Sequence, residues 1–196
     1  MRAANPNLIV WIDTETTGLD PDRDLLLEIA VVVTDNALRE LGATSAVIAP
    51  EHGVEDALAR MDPFVTAMHS SNGLISELGS PAALTLDAAD RWITAHIDQA
   101  AAGAAGPFLL GGNSITHDRG FLDRHAPQTF SRLHYRSLDV SSIEQDMVRD
   151  GYADEIAAER RRTAPAGNHR ALGDIRDSVR QLAHLREIRR SVLAHA

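Results

Sequence analysis

Five residues stand out for the chemistry they could do together: Asp13 and Glu15 in WIDTETTG, Asp118 in GNSITHD, and His169 with Asp174 in NHRALGDIRDS. Carboxylates gathered within a few ångströms raise one another's pKa, and a divalent cation among them relieves that repulsion. Acids contributed by separated stretches therefore suit metal-assisted phosphoryl chemistry, in which two ions about 3.5 to 4 Å apart bind the scissile phosphate between them. An imidazole, with an unperturbed pKa of about 6.5, can accept the proton of an attacking water near neutral pH. Singly, each residue has an ordinary explanation. Asp-x-Glu fits an Asx-type turn, Asp118 a helix-start acid favoured by the macrodipole, and His169 a cap. The combination is what points to a site.

Elements must then carry these groups to one place. Leu8 to Ile12 is an apolar run ending at Asp13, and side-chain alternation puts Asp13 and Glu15 on the same side of that strand's end. Leu25 to Val33 reads as a second strand, joined to the first by a turn through Gly18 and Pro21, and Ala43 to Ile48 as a third. Helical patterns cover Val54 to Ser70 and Pro81 to Gln99 and form a crossover to a short strand over Phe108 to Leu110. A helix over Thr116 to His125 bears Asp118; Gly111, Gly112 and Asn113 before it let the backbone approach something closely. Leu138 to Val140 reads as a strand and Ser142 to Arg149 as a helix. The rest is a loop followed by one long helix over Arg170 to Arg190, with an apolar ridge of Leu172, Ile175, Val179, Leu182, Leu185 and Ile188. Strands first, then helices and strands in alternation, predict an α/β fold: a mixed β-sheet flanked by α-helices, in a single domain spanning 1–196.

Composition narrows the function classes. Cysteine is absent, so thiolate sites and disulfides are excluded, and a metal must be held by oxygen or imidazole ligands, which suits magnesium or manganese. No stretch approaches the roughly 18 apolar residues of a membrane helix, and the N-terminus lacks a secretory pattern, so a cytoplasmic location is expected. A net charge of −9, from 28 acidic and 19 basic residues, is the wrong sign for gripping long duplex nucleic acid. It permits a short anionic substrate held by a few local cations. The Arg160-Arg161-Arg162 run lies in a polar segment and is left without a role.

The order Asp-x-Glu, then Asp, then His with Asp five residues later resembles the DEDDh family of 3'-to-5' exonucleases, whose fold is ribonuclease-H-like. The longer strings WIDTETTGLDPDRD, GNSITHDRGFLDRHAP, HYRSLDVSS and NHRALGDIRDS are similar to those of the oligoribonucleases within it, over nearly the whole chain. The resemblance implies that Asp13, Glu15, Asp118 and Asp174 bind two divalent cations, Mg2+ or Mn2+, and that His169 is the general base. It implies a substrate-binding set as well: Leu19 wedged against bases, Phe64 stacked on a base, and His69 lining the pocket. Ser114, Arg136 and Ser141, with Tyr135 of a second subunit in a homodimer, would cap the 5' phosphate. The substrates implied are short single-stranded RNA oligonucleotides, down to dinucleotides, cut to nucleoside 5'-monophosphates.

The chain departs from that family pattern around the sugar and base. Thr16-Thr17 replaces the usual Met-Thr, as in proofreading exonucleases; Phe64 stands for the usual tryptophan, and Gly173 for an acid. Discrimination of RNA from DNA requires sensing the 2'-hydroxyl, so a preference for short deoxyoligonucleotides and a DNA-proofreading role stay open. A nuclease-like module that binds without cutting is the alternative from another class; the presence of all five catalytic-type residues argues against it.

Overall fold

The structure, a computed structural model, describes residue 5 and residues 7–162 and 169–193. Its described residues form a five-stranded mixed sheet in the order β3-β2-β1-β4-β5. The strands are β1 (Leu8–Thr16), β2 (Leu26–Asp35), β3 (Glu40–Val47), β4 (Phe108–Gly112) and β5 (Leu133–Asp139). The first three are antiparallel, and β4 and β5 run parallel to β1. This is the flanked mixed sheet that the hydrophobic pattern predicts.

The two faces of β1 enter different cores. Leu8, Val10 and Ile12 pack with Ala89, Ile93 and Ile97 of α4 (Leu86–Ala100) and with Phe121 and Leu122 of α5 (Thr116–His125). Ile9 and Trp11 pack instead with Ile175, Leu182, Leu185 and Ile188 of α9 (Ala171–Leu193) and with Val140 and Met147 of α7 (Val140–Arg149). Trp11 is fully buried, its indole N–H donates to Thr34 Oγ1 at 2.9 Å, and it lies across from Gly111. A Cβ on Gly111 would come within 2.8 Å of the Trp11 ring and 2.9 Å of Ile9. The close approach that Gly111 permits is thus strand packing against a large aromatic, whereas a Cβ on Gly112 would meet Ile115 at 2.7 Å. Continuing past Trp11 on the same face come Asp13 and Glu15, under the N-terminal end of α9.

Several element boundaries differ from the sequence reading, each for a local reason. The predicted helix over Val54 to Ser70 is two helices, α1 (Val54–Arg60) and α2 (Pro63–Ser71). Pro63 disfavours helical backbone in the residue before it, Met61 is extended, and Asp62 caps α2 by accepting from the Val65 N–H at 2.8 Å. A short α3 (Leu74–Leu78) follows Gly73, whose φ of 85° breaks the chain direction. Helix α4 starts at Leu86 rather than Pro81, because the Thr85 side chain is the cap and Leu84 forms a bridge to Ile48. The strand expected over Leu138 to Val140 is the end of β5, and Asp139 caps α7, so Val140 is already helical. Residues 127–130, given no element by the sequence reading, form α6 (Pro127–Phe130), and part of the expected loop forms α8 (Ala153–Arg162). On α8, Arg160 pairs with Glu144; the side chains of Arg161 and Arg162, and residues 163–168 of the expected loop, lie outside the described residues.

Candidate active site

Asp13, Glu15 and Asp174 each offer a carboxylate oxygen, and these oxygens all lie within 4.8 Å of one another. Strand alternation aims the first two, and the first turn of α9 brings the third down onto them. At Glu15/Thr16 the pairing with β2 slips by a bulge, an irregularity that re-aims side chains at a strand's end. Asp118, buried in the first turn of α5, is fixed from β1: its Oδ1 accepts from the Thr14 N–H at 2.9 Å and the Thr14 hydroxyl at 2.8 Å.

The electrostatics of the cluster are those of acids forced together. Burial raises the Asp13 carboxyl well above its ordinary value, and the charges of Asp118, Glu15, Asp174 and Glu28 raise it further. Glu15 is pushed up to about 8, first by burial and then by Asp174 and Glu28, against a smaller opposing pull from Arg170. Asp118 is raised by burial despite its Thr14 hydrogen bonds, and Asp174 by burial despite nearby His169. A hard, all-oxygen donor set whose ionisation is this unfavourable fits a divalent cation of the magnesium or manganese type. The acid cluster can hold such an ion.

His169 is exposed and sits on the residue pair that leads into α9. Its φ of 49° is left-handed backbone, which costs a non-glycine residue about 1–3 kcal/mol and persists only where neighbours hold it. The next residue, Arg170, is gripped on both sides. Its guanidinium makes paired bonds to Glu28 (3.0 and 3.1 Å) and to Glu77 (2.8 and 2.9 Å). Glu28 is almost fully buried and pairs across the sheet with Glu15.

The candidate substrate residues fall in two regions. Leu19 and Phe64, 86% and 73% exposed, line one cavity of about 930 Å³ together with Glu15, Arg23, Met68 and His117. Leu19 is presented by a tied hairpin loop. Thr17 and Asp24 clamp its base, with the Thr17 hydroxyl donating to Asp24 at 3.0 Å and the Asp20 N–H donating to Asp24 at 2.9 Å. In the second region Ser114 and Ser141 meet, the Ser114 N–H donating to Ser141 Oγ at 2.8 Å, at the starts of α5 and α7. Tyr135 and Arg136 are both exposed on β5, with the guanidinium 5.3 Å from the tyrosine ring centre. His69, expected on the pocket lining, is instead completely buried. Its Nε2–H donates to the Thr16 carbonyl at 3.1 Å, leaving Nδ1 facing Glu15 at 3.9 Å without a hydrogen bond.

Sequence reasoning missed Thr14, Glu28, Asn72, Glu77 and Arg170. For Glu28 a signal existed, a lone acid inside the apolar run LLLEIAVVV. The others work through contacts between residues far apart in the chain, which no local pattern displays.

Residues 10–182 match the family model described as Exonuclease. The chain is 40% identical over 190 residues to an oligoribonuclease of Tropheryma whipplei, covering 94% of this chain and 95% of that protein. It is 39% identical over 184 residues to an oligoribonuclease of Pseudomonas aeruginosa, covering 93% and 96%. Among solved structures, an exonuclease I from Methylocaldum szegediense superposes with a TM-score of 0.67 at 17% identity, over 92% of this chain and 40% of that one. The zinc-bound E. coli ExoI-ssDNA complex gives 0.64 at 13% identity, over 97% and 43%. The fold is the ribonuclease-H-like fold of these exonucleases.

Proposed function

The chain belongs to the oligoribonuclease family of exonucleases, and from that premise we propose that it hydrolyses short single-stranded RNA oligonucleotides from the 3' end, down to dinucleotides, releasing nucleoside 5'-monophosphates. The observation that carries this reading is the approach of the Asp13, Glu15 and Asp174 carboxylates to within 4.8 Å beside Asp118. One exonuclease domain accounts for the whole chain in this account.

Asp13, Glu15, Asp118 and Asp174 would hold two divalent cations, Mg2+ or Mn2+, which supply Lewis-acid activation of water and charge neutralisation at the scissile phosphate. His169 takes the proton from the attacking water, and its exposure lets that proton pass on to solvent. Bases lie in the cavity between Phe64 and Leu19, the aromatic ring contributing about 1 to 3 kcal/mol per stacked base without demanding sequence. His69 acts from within, holding the Thr16 carbonyl and backing Glu15. Ser114, Ser141 and Arg136 bind the 5' phosphate, the guanidinium matching phosphate oxygens with its fork of donors. Tyr135 from a second copy of the chain closes that end in a homodimer, and the closed end limits substrate length. No helix among the described residues is long and apolar enough to cross a membrane, and the enzyme is proposed to work in the cytoplasm.

A time course on 5'-labelled RNA and DNA of graded length tests this. Release of mononucleotides, fastest from the shortest RNA and absent in Asp13→Ala, is expected. Faster cleavage of matched deoxyoligonucleotides assigns the enzyme to short DNA instead, and efficient trimming of long primed DNA assigns it to proofreading.

A further inference from the structure

We propose that Asn72 and Glu77, in the turn after α2 and in α3, are positioning residues that hold the His169 backbone over the acid cluster and tie it to the helix bearing Phe64. The inference deepens the exonuclease reading and rests on it. His169 occupies left-handed backbone at φ 49°, a conformation that its own side chain does not favour, so contacts around it must keep it there. The Asn72 amide donates to the His169 carbonyl. The orientation of that amide is set, because its oxygen accepts from the Leu74 N–H at 2.9 Å. At the next residue Glu77 binds both terminal nitrogens of Arg170, at 2.8 and 2.9 Å, while Glu28 holds the adjoining Nε–Nη2 edge of the guanidinium.

The same clamp reaches Asp174. The Arg170 carbonyl accepts from the N–H groups of Gly173 at 2.9 Å and Asp174 at 3.1 Å, which starts α9. Fixing Arg170 therefore fixes the imidazole on one side and the carboxylate on the other. The anchors also share a body with the base-stacking residue: Asn72 is the C-cap of α2, and Phe64 lies in that helix's first turn. A nine-residue helix thus has a substrate contact at one end and the histidine anchor at the other. Displacement of the anchors moves the imidazole without removing any group that touches substrate.

Steady-state kinetics on a 5'-phosphorylated diribonucleotide with manganese, using the full chain, tests the assignment through Asn72→Ala, Glu77→Ala and the pair together. The expected result is a fall in kcat of about 10- to 100-fold in the double variant, the scale that misplacement of about 1 Å produces, with KM changed by less than about 2-fold. Glu77→Gln, which keeps one oxygen for the guanidinium, recovers part of what Glu77→Ala loses. Glu77 is half-exposed, and the thermal midpoint of its variants is expected to move by no more than about 4 °C. An unchanged kcat, a loss confined to KM, or a loss that follows the thermal midpoint alone overturns the positioning role while leaving the exonuclease in place. An unvaried protein that leaves the dinucleotide intact overturns the exonuclease reading and this role with it.

Discussion

Glu15 shows at the scale of one residue how a site can be built against its own stability. In the folded chain its carboxyl is pushed up from about 4.5 to about 8 by burial and by its acidic neighbours. A carboxyl whose pKa is raised on folding binds its proton more tightly in the native state, so the native state loses stability as pH rises through that interval. The raised Asp13, Asp118 and Asp174 act in the same direction. With chelator present, the thermal midpoint is therefore expected to decline between about pH 5 and pH 8 relative to a variant carrying Glu15→Gln. Magnesium or manganese is expected to raise it, and to raise it more at pH 8, because a bound ion stabilises the folded state more the tighter it binds, and it binds ionised ligands more tightly. A midpoint that rises with pH in the chelated protein would run against this assignment of the acids.

Among the elements, α2, α3 and the start of α9 form the part on which, in the proposed reading, substrate contact and imidazole both depend. Phe64→Ala is expected to raise KM for short oligonucleotides by roughly 5- to 150-fold, the equivalent of about 1 to 3 kcal/mol of base stacking, with kcat little changed. Arg170→Met leaves Glu28, itself only 1% exposed, as an unpaired charge in the interior. Breaking a buried pair in this way costs about 3–5 kcal/mol, which a denaturant titration would read as a lowered midpoint. These elements also mark the limit of what the sequence displays. The strand holding Asp13 and Glu15 is legible because a continuous apolar run is a local signal, and so is the apolar ridge of α9. The break between α1 and α2 was not, because periodicity runs on through Met61-Asp62-Pro63 while the proline and the Asp62 cap end it. The reach of β5 back to Leu133 was hidden because its exposed middle, Tyr135 and Arg136, lacks the apolar signature of a core strand. The acids of the site could be listed from motifs, but the Glu28–Arg170–Glu77 clamp joins positions 28, 77 and 170, and only the folded chain brings them together.

At the scale of the whole molecule, a net charge of −9 and an acid-lined site act on a substrate that is itself anionic. Affinity for long nucleic acid, which comes largely from many phosphate contacts, is consequently disfavoured, and in the proposed reading recognition falls to a few groups at the ends of a short strand: the Phe64–Leu19 cavity at one end and the Ser114–Ser141 junction with Arg136 at the other. The mixed sheet serves this arrangement by letting β1 deliver acids from one edge of its core face while α5 and α9 approach from opposite faces. All of it depends on the Asp13, Glu15, Asp118 and Asp174 carboxylates acting as one cation-holding unit. The most direct measurement is the turnover of a 5'-phosphorylated dinucleotide in manganese by the intact chain and by Asp174→Asn, a substitution that keeps the side-chain shape and removes one charge. The intact chain is expected to release mononucleotides and the variant to lose at least about 100-fold in kcat; turnover by Asp174→Asn at the rate of the intact chain would contradict the account.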